Sequence, residues 1–499
     1  MSIETLRNLA GENWVEPTGP VIDVTDPATG SVIAHQPAST RAEVDAVIEA
    51  AAAAFWKWRM TPVPTRAAIM FRYRELVNAA VDELADIIVR ENGKTVAEAK
   101  GELLRGLQYI EHACAIPELM KGSVSEEIGT AVDIEYIREP LGVFGIIAPF
   151  NFPAMIPLYF TWAVACGNTV VIKPSELCPL TTIRLVELAL EAGFPPGVVN
   201  VALGGPDVVA AIAEHPAVAG VSFVGSSHVA GEVYRMVTAQ GKRCQSQGGS
   251  KNHLVVTDSA VLERCMPNIV SSMFGNASQR CFAGSNLLVY RNVWDEVMDL
   301  FLDRVRALRL GPGTDPETTL GPVISAASRD RLAKAVDDAE RAGAEILVDG
   351  RGATVEGYEN GYWIGPSVVH ADPTSPLFTE ELFGPVRCVL PVSGLEEAIE
   401  IINRSSYGHT AAIYTEYGAD AREFRQRVQT GQIGVNIGTP APIAFYPVGG
   451  RKTSLYGSHR GRANDAVDFY TDKKVIVSTW HRSTAEAAVD PAFERPTTP

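Results

Sequence analysis

One cysteine in the middle of the chain has the surroundings of a reactive thiol. Cys281 lies in the segment 275–284, between an amphipathic run at 262–278 and an apolar, strand-like run at 287–290. This places it on a loop between rigid elements, where reactive groups are usually presented. The neighbouring Arg280 supplies positive charge, which favours a thiolate and lowers the pKa of a thiol. A buried structural cysteine is the alternative for any cysteine taken alone, so the rest of the chain has to decide.

Two further segments have features of a nucleotide-binding site. Gly225 and Ser226 end a strand-like run and open a helical one, where backbone can approach a phosphate and the helix N-terminus favours negative charge. Lys173 and Glu176 follow the strand-like run TVVIK, and such residues face the ligand crevice of open α/β sheets. They can hold ribose hydroxyl groups. The alternative for Gly225 and Ser226 is a plain strand-to-helix turn, and this turn lacks the GxGxxG fingerprint. The alternative for Lys173 and Glu176 is a solvated strand end.

The overall composition excludes several classes of protein. The chain has 499 residues, 46% of them hydrophobic, with a net charge of −16. An acidic protein of this kind is not expected to bind nucleic acid or anionic membranes. No apolar run reaches the ~18 residues of a spanning helix, and the N-terminus lacks the features of a secretory signal. The seven cysteines show no CxxC or CxxH spacing, which predicts a reducing compartment, no structural metal and a cytoplasmic location.

Apolar strand-like runs alternate with helical patterns over most of the chain. Residues 41–121 are mainly helical in periodicity. From Leu141 onward, runs such as VFGII, TVVIK, VSFVG and HLVV are separated by helical segments, including one predicted at 153–166. This alternation predicts doubly wound, mostly parallel sheets. Because the chain is too long for one compact core, we predict an α/β fold with two doubly wound domains, and Cys281 near the start of the second.

Five segments, in this order along almost the whole chain, resemble the aldehyde dehydrogenase superfamily: they are Pro149–Pro153, Ile172–Glu176, Phe223–Ser226, Gly275–Cys281 and Glu380–Pro385. The resemblance implies that Cys281 attacks the aldehyde carbon and forms a thiohemiacetal, which passes hydride to nicotinamide and becomes a thioester. It implies that the Asn151 amide and the Cys281 backbone N–H form the oxyanion hole. The residues that it implies for NAD binding are Phe150, Lys173, Glu176, Gly225, Ser226, Glu381 and Phe383.

Two positions depart from the hydrolytic members of the superfamily. Those members carry a glutamate 34 residues before the cysteine, where this chain has Gln247, and often a lysine nine residues after the oxyanion asparagine, where it has Phe160. An amide cannot act as a general base near neutral pH, so we expect water to attack the thioester slowly. A thiol ionises more readily than water and needs less help from a base.

These departures favour coenzyme A as the acyl acceptor. The Lys-Asn-His run at 251–253 and the C-terminal FYTDKKV segment are similar to the CoA-acylating methylmalonate-semialdehyde dehydrogenase branch. That branch oxidises malonate and methylmalonate semialdehydes and, after decarboxylation, releases acetyl-CoA or propionyl-CoA. Arg105 and Arg280 are implied to bind the substrate carboxylate, although Arg105 can also be an ordinary helix-surface arginine. Two alternatives stay open: a hydrolytic dehydrogenase that releases a free acid, and a catalytically silent NAD-binding relative.

The resemblance also predicts the domain organisation and the assembly. We expect strands at 131–139 and 473–479 to pair with a neighbouring subunit in a homodimer or homotetramer. Glu176 would repel a 2′-phosphate, which favours NAD over NADP. We assign residues 1–121 and 141–248 to the NAD-binding domain, 249–445 to the catalytic domain, and 122–140 with 446–499 to an oligomerisation element and tail.

Overall fold

The computed structural model of the protein describes residues 3–480 and contains two large sheets. The five central strands of the first sheet are parallel. Their apolar, β-branched residues are buried because helices cover both faces of such sheets. The spatial order of its eight strands is Leu455–Tyr456, Arg243–Gln247, Val218–Val224, Val143–Ile147, Thr169–Lys173, Val199–Val201, Asn8–Ala10 and Asn13–Val15.

The order of the parallel strands in this sheet creates a crevice. The chain starts at the central strand Val143–Ile147, adds two strands on one side, and then crosses back to place Val218–Val224 on the other side. Ligands of open α/β sheets bind at such a switch point, outside the carboxyl ends of the strands. Phe150 and Gly225 follow these two strands and therefore lie at the crevice.

Ten helices belong to this part of the chain, and one of them begins later than predicted. The segment predicted as a helix over 153–166 starts with a short 3₁₀ turn, Pro157–Tyr159, and is an α-helix only over Phe160–Cys166. The backbone N–H groups of Ala154 and Met155 instead donate to the buried Glu102 carboxylate. The helices are Arg41–Arg59, Val63–Ala79, Val81–Asn92, Val96–Cys114, Ile116–Leu119, Phe160–Cys166, Leu180–Glu191, Pro206–Glu214, Ser227–Thr238 and Asn464–Tyr470.

The second large sheet has seven strands and is parallel except at its edge strand Glu345–Val348. In spatial order the strands are Glu345–Val348, Ser367–His370, Val386–Val392, Gly284–Tyr290, Asn252–Val256, Thr410–Tyr414 and Gln432–Val435. Its helices are Leu262–Phe274, Trp294–Arg306, Ala326–Arg341, Pro376–Thr379, Leu395–Arg404 and Gly418–Arg427. The two sheets with their helices confirm the predicted α/β fold.

Two small sheets complete the described structure. Near the N-terminus, Glu4–Thr5, Val32–Pro37 and Val21–Thr25 form one of them. In the other, Thr471–Thr479 pairs with Val132–Pro140, which also pairs with Ser123–Gly129. The two strands that were expected to pair with a neighbouring subunit therefore pair with each other. None of the helices described within residues 3–480 is long and apolar enough to span a membrane.

The segment after residue 446 is divided between two of these sheets. Leu455–Tyr456 extends the first large sheet, and the apolar residues of Asn464–Tyr470 are buried in the core of that same part. Only Thr471–Thr479 belongs to the small sheet that was predicted as an oligomerisation element. The division into domains stays a prediction. The final residues of the predicted tail, 481–499, lie outside the described part of the chain.

Candidate active site

A cavity of about 1090 Å³ lies where the carboxyl ends of the first sheet face the amino ends of the second. Residues that follow strands Val143–Ile147 and Val218–Val224 line one side of it, and residues that precede Gly284–Tyr290 and Val386–Val392 line the other. All eleven site residues predicted from the sequence reach this cavity: Arg105, Phe150, Asn151, Lys173, Glu176, Gly225, Ser226, Arg280, Cys281, Glu381 and Phe383.

The backbone that leads to Cys281 is held in a rare conformation. Residues 276–278 have φ angles of 57°, 46° and 60°, in the left-handed region that costs most L-residues energy. Arg387, which is buried, donates hydrogen bonds to the carbonyl oxygens of Met273 and Ser278 at 2.7 and 3.2 Å. The sharp turn ends the helix before it and carries Cys281 into the cavity.

Asn252 fixes the other side of the nucleophile loop. Its Nδ2 donates to the carbonyl oxygens of Cys281 and Ala283, both at 2.9 Å. Its Oδ1 accepts from the backbone N–H of Thr410 at 3.0 Å. The loop is therefore attached to the second sheet through one buried amide, a role that the sequence did not reveal.

The surroundings of Cys281 in the cavity disfavour its thiolate form. Burial raises the pKa of Cys281 to about 12, and the Glu381 carboxylate acts in the same direction. The opposing positive charge is that of Arg462. This differs from the sequence prediction, in which Arg280 lowered the pKa of the thiol. The Arg280 guanidinium instead lies 3.3 Å from the Glu98 carboxylate.

The Asn151 amide is buried and directed at the nucleophile loop. Its Nδ2 donates to the carbonyl oxygen of Gln279 at 2.9 Å. Since the amide has two N–H groups, the second remains available for an oxygen atom of a ligand. The arrangement is suitable for an oxyanion-hole donor next to Cys281.

A buried ion pair supports the segment that carries Asn151. The Glu102 carboxylate accepts from the backbone N–H groups of Ala154 and Met155 at 2.8 and 3.0 Å. It also pairs with the Lys94 ammonium, and both side chains are almost fully buried. Sequence reasoning missed this pair, because only the tertiary fold brings Lys94, which lies between two helices, and the helical Glu102 to the loop.

Gln247 lies in the cavity at the end of its strand. It is 5% exposed, and its Nε2 has no hydrogen-bond partner among residues 3–480. A Cβ atom on Gly461 would lie 2.6 Å from that nitrogen, so the backbone at 461 packs directly against the amide. No carboxylate occupies this position.

Phe160, the other departure noted in the sequence, does not reach the cavity. Its ring packs in the core of the first part, with centroids 5.7 Å from Tyr73 and 6.4 Å from Phe194. The absence of a lysine at position 160 therefore deprives this cavity of no proton-transfer group. Only Gln247 bears on the choice of acyl acceptor.

The crevice end of the cavity fits a dinucleotide. A Cβ atom on Gly225 would lie 2.5 Å from the Phe223 ring, so any side chain at this turn would have to displace that ring. Ser226 caps the helix that follows, and its side chain accepts from a backbone N–H of the first turn. Such a helix start suits a diphosphate. The Lys173 ammonium lies 2.7 Å from the Glu176 carboxylate, at the strand end where ribose hydroxyl groups are expected.

Glu381 and Phe383 lie between the crevice and the thiol. The Glu381 carboxylate accepts from the backbone N–H of Ser250 at 2.8 Å, and burial raises the pKa of Glu381 to about 7. The Phe383 ring packs edge-on against Phe150, with 5.7 Å between centroids. This carboxylate therefore titrates close to neutral pH.

The sequence pattern of the aldehyde dehydrogenase family matches residues 14–476. The chain belongs to this family. Malonate-semialdehyde dehydrogenase 2 of Geobacillus kaustophilus (strain HTA426) is 42% identical over 482 residues, which cover 96% of this chain and 99% of that protein. The predicted family is thus confirmed.

Solved structures of this family are also similar over nearly the whole chain. The methylmalonate-semialdehyde dehydrogenase of Oceanimonas doudoroffii is 37% identical with a TM-score of 0.95, and the match covers 96% of this chain and 99% of that chain. A structure from Sinorhizobium meliloti 1021, provisionally given the same enzyme name and complexed with NAD, is 37% identical with a TM-score of 0.95, covering 97% and 100% of the two chains.

Four arginines of this aldehyde dehydrogenase line the cavity. One of them, Arg331, donates to the carbonyl oxygen of Leu382 at 2.7 Å, and the other three are candidates to bind a substrate. Arg105 donates to the side-chain oxygen of Gln108 at 2.9 Å, and Arg280 is paired with Glu98. The third, Arg462, was not predicted. It lies in the irregular segment before the helix Asn464–Tyr470, where no periodicity or motif indicates which residue faces the cavity.

Proposed function

We propose that the protein is an NAD-dependent, CoA-acylating dehydrogenase of malonate or methylmalonate semialdehyde. The observation that carries the proposal is the buried amide of Gln247, which lines the same cavity as Cys281 and cannot deprotonate water. The names of the similar proteins, malonate-semialdehyde and methylmalonate-semialdehyde dehydrogenases, support the substrate class.

Cys281 is the nucleophile of the proposed reaction. After the thiol has lost its proton, the sulfur adds as the thiolate to the aldehyde carbon, and the resulting oxyanion accepts hydrogen bonds from the Asn151 amide and the Cys281 backbone N–H. A preorganised donor of this kind contributes about 3–4 kcal/mol to lowering the barrier. Loss of hydride from the thiohemiacetal leaves a thioester on Cys281. The CoA thiol then loses its proton, attacks the thioester carbonyl, releases the Cys281 thiolate and carries the acyl group away. When the substrate carboxylate leaves as CO₂, the electron pair of the broken C–C bond stays on the α-carbon, which takes up a proton.

The residues that would hold NAD are grouped at the crevice. Gly225 and Ser226 suit the diphosphate and Lys173 with Glu176 the adenosine ribose. Glu381 suits the nicotinamide ribose, and Phe150 with Phe383 forms an aromatic edge beside it. NAD, when bound, accepts the hydride. The Glu176 carboxylate disfavours a 2′-phosphate at the same place, so NAD rather than NADP is proposed.

The decisive experiment measures NADH formation from malonate semialdehyde with and without CoA. We expect turnover to depend on CoA and acetyl-CoA to appear as the product by mass spectrometry. CoA-independent turnover with a free acid as the product would contradict the proposal. A protein that binds NAD but forms no NADH, whether CoA is present or absent, would support the catalytically silent alternative.

Hydrolysis is the second candidate function, and Glu381 is the residue that favours it. Its carboxylate is in the cavity, its field raises the pKa of Cys281, and its own pKa of about 7 suits a general base. If it activates water, Glu381→Gln abolishes CoA-independent turnover while CoA-dependent turnover persists. If Glu381 only binds the cofactor, the variant raises the KM for NAD both with and without CoA.

We also propose that the protein forms a homodimer or homotetramer through the small sheet. Thr471–Thr479 is an edge strand and exposes Val475 and Val477, and Val124 is exposed on the opposite edge strand. Exposed apolar strands of this kind are normally covered. Sedimentation of Val475→Lys with Val477→Lys is expected to show a smaller species than the unaltered protein, whereas a stable monomer before mutation would contradict the proposal. A cytoplasmic location also stays a prediction.

A further inference from the structure

Arg462 has an unusual environment for a charged side chain. It is 4% exposed and lines the cavity that contains Cys281. Its Nη1 donates to the carbonyl oxygen of Pro442 at 3.0 Å, and its guanidinium lies 4.5 Å from the centroid of the Tyr109 ring. Its Nε is buried without a hydrogen-bond partner among residues 3–480.

No carboxylate of the described chain forms an ion pair with Arg462. This distinguishes it from Arg280, whose guanidinium is already paired with Glu98. It also differs from Arg105, which is partly exposed and bound to a neutral amide. Burying a guanidinium without a carboxylate partner is costly. The Tyr109 ring and the Tyr159 hydroxyl offset part of that cost, and an anionic ligand in the cavity would offset more of it.

A second observation places this charge close to the reacting centre. Arg462 and Cys281 line the same cavity, and the positive charge of Arg462 opposes the rise in the pKa of the Cys281 thiol. In a β-oxo acid such as malonate semialdehyde, one methylene group separates the aldehyde carbon from the carboxylate. A short substrate whose aldehyde reaches Cys281 must therefore find its carboxylate partner in the part of the cavity near the thiol, and Arg462 lines the same cavity.

We propose that Arg462 binds the carboxylate of the semialdehyde substrate and selects for it over uncharged aldehydes. This rests on the proposed function, because it assumes a carboxylate-bearing substrate. In this arrangement Arg280 holds the nucleophile loop through Glu98, which also accepts from the backbone N–H of Asn276. Arg462 then makes the contact with the substrate carboxylate, a contact that the sequence analysis predicted for Arg105 and Arg280.

The test compares malonate semialdehyde with propanal, which carries a methyl group in place of the carboxylate. Arg462→Met is expected to lower kcat/KM for malonate semialdehyde by about 30- to 1000-fold, mainly through KM, the range for loss of one partner of a buried charge pair. For propanal, kcat/KM is expected to fall much less, since no ion pair with the substrate is lost and only the support of the Cys281 thiolate by the Arg462 charge is removed. Arg462→Lys keeps the charge without the fork and should retain part of the preference.

Matched variants and a binding assay separate this role from a structural one. Arg280→Met is the comparison and should change the preference between the two aldehydes less than Arg462→Met does. Malonate should protect Cys281 from iodoacetamide in the unaltered protein and in Arg280→Met, but not in Arg462→Met, a readout that needs no turnover. Quenching of intrinsic fluorescence by NAD checks that each variant is folded.

Three results would overturn the inference. The first is an equal loss of activity with both aldehydes in Arg462→Met, which indicates a purely structural role. The second is an unchanged preference in Arg462→Met together with a lost preference in Arg280→Met. The third is an unaltered protein that oxidises propanal as well as malonate semialdehyde, which refutes the proposed substrate class itself and is recognised before any variant is made.

Discussion

Replacement of Gln247 by glutamate tests the reason for proposing an acyl transfer to CoA. The two side chains have nearly the same size, and the Gln247 Nε2 has no hydrogen-bond partner among residues 3–480 that the exchange would remove. The variant therefore introduces a carboxylate into the cavity with little other change. We expect Gln247→Glu to hydrolyse the Cys281 thioester without CoA.

The size of the gain follows from the position of the new group. A positioned general base accelerates proton transfer by about 10²- to 10⁴-fold. Burial raises the pKa of a carboxylate, and in this same cavity it raises the pKa of Glu381 to about 7. Only the ionised form can act as a base, so CoA-independent turnover should rise by about 10²-fold or more at pH 8. It should be lost as the pH falls below neutrality.

The assay follows NADH formation from malonate semialdehyde at several pH values in the absence of CoA, with the free acid quantified by mass spectrometry. Gln245→Glu is a matched control. Gln245 lies two residues earlier on the same strand, is also buried and does not line the cavity. It should lose stability without gaining hydrolysis. A folded, NAD-binding Gln247→Glu whose CoA-independent turnover is unchanged at pH 8–9 would refute the reasoning.

Three further predictions concern the groups around the thiol. Asn151→Ala should lower kcat about 10²- to 10³-fold with little change in KM, through loss of an oxyanion donor; equal kcat in steady-state NADH assays would contradict the assignment. Glu102→Gln leaves Lys94 buried without a carboxylate, which should lower the free energy of unfolding by about 3–5 kcal/mol, and an unchanged urea midpoint would exclude such a role. Because burial raises the pKa of Cys281 to about 12 and only the thiolate reacts, alkylation by iodoacetamide should be slow at pH 7 and rise about tenfold per pH unit; a plateau below pH 9 would show that the thiol is more acidic.

The sheets and the gathering of the site residues were predictable from local patterns. Buried parallel strands appear in the sequence as short apolar runs, and their ends are marked by polar or glycine residues. Gly225 and Lys173 stand at such ends, so the topology alone brings them to one crevice. The start of the helix at Phe160 was not predictable in this way, since it depends on the distant Glu102.

The contacts that tune the site were not predictable because they depend on tertiary structure. The sequence shows Arg280 beside Cys281, but adjacent residues on a turn point in different directions, and the guanidinium pairs with Glu98. In the left-handed turn at 276–278, Asn276 is a residue type that adopts this conformation readily, but Ala277 and Ser278 carry no signal for it. Arg462 lies in an irregular segment, so its burial beside the thiol follows only from the packed structure.

The amide at position 247 affects the thiol as well as the acyl acceptor. The Glu381 carboxylate already raises the pKa of Cys281, and a second negative charge in the same cavity would raise it further. Glutamine at position 247 therefore supplies no general base for water, and it also avoids a further rise in the pKa of Cys281. In Gln247→Glu the two effects oppose each other, since the thioester should hydrolyse faster while it forms more slowly. A pre-steady-state burst of NADH separates them: its rate should fall in the variant above neutral pH, where the new carboxylate is ionised, even as the CoA-independent steady state rises.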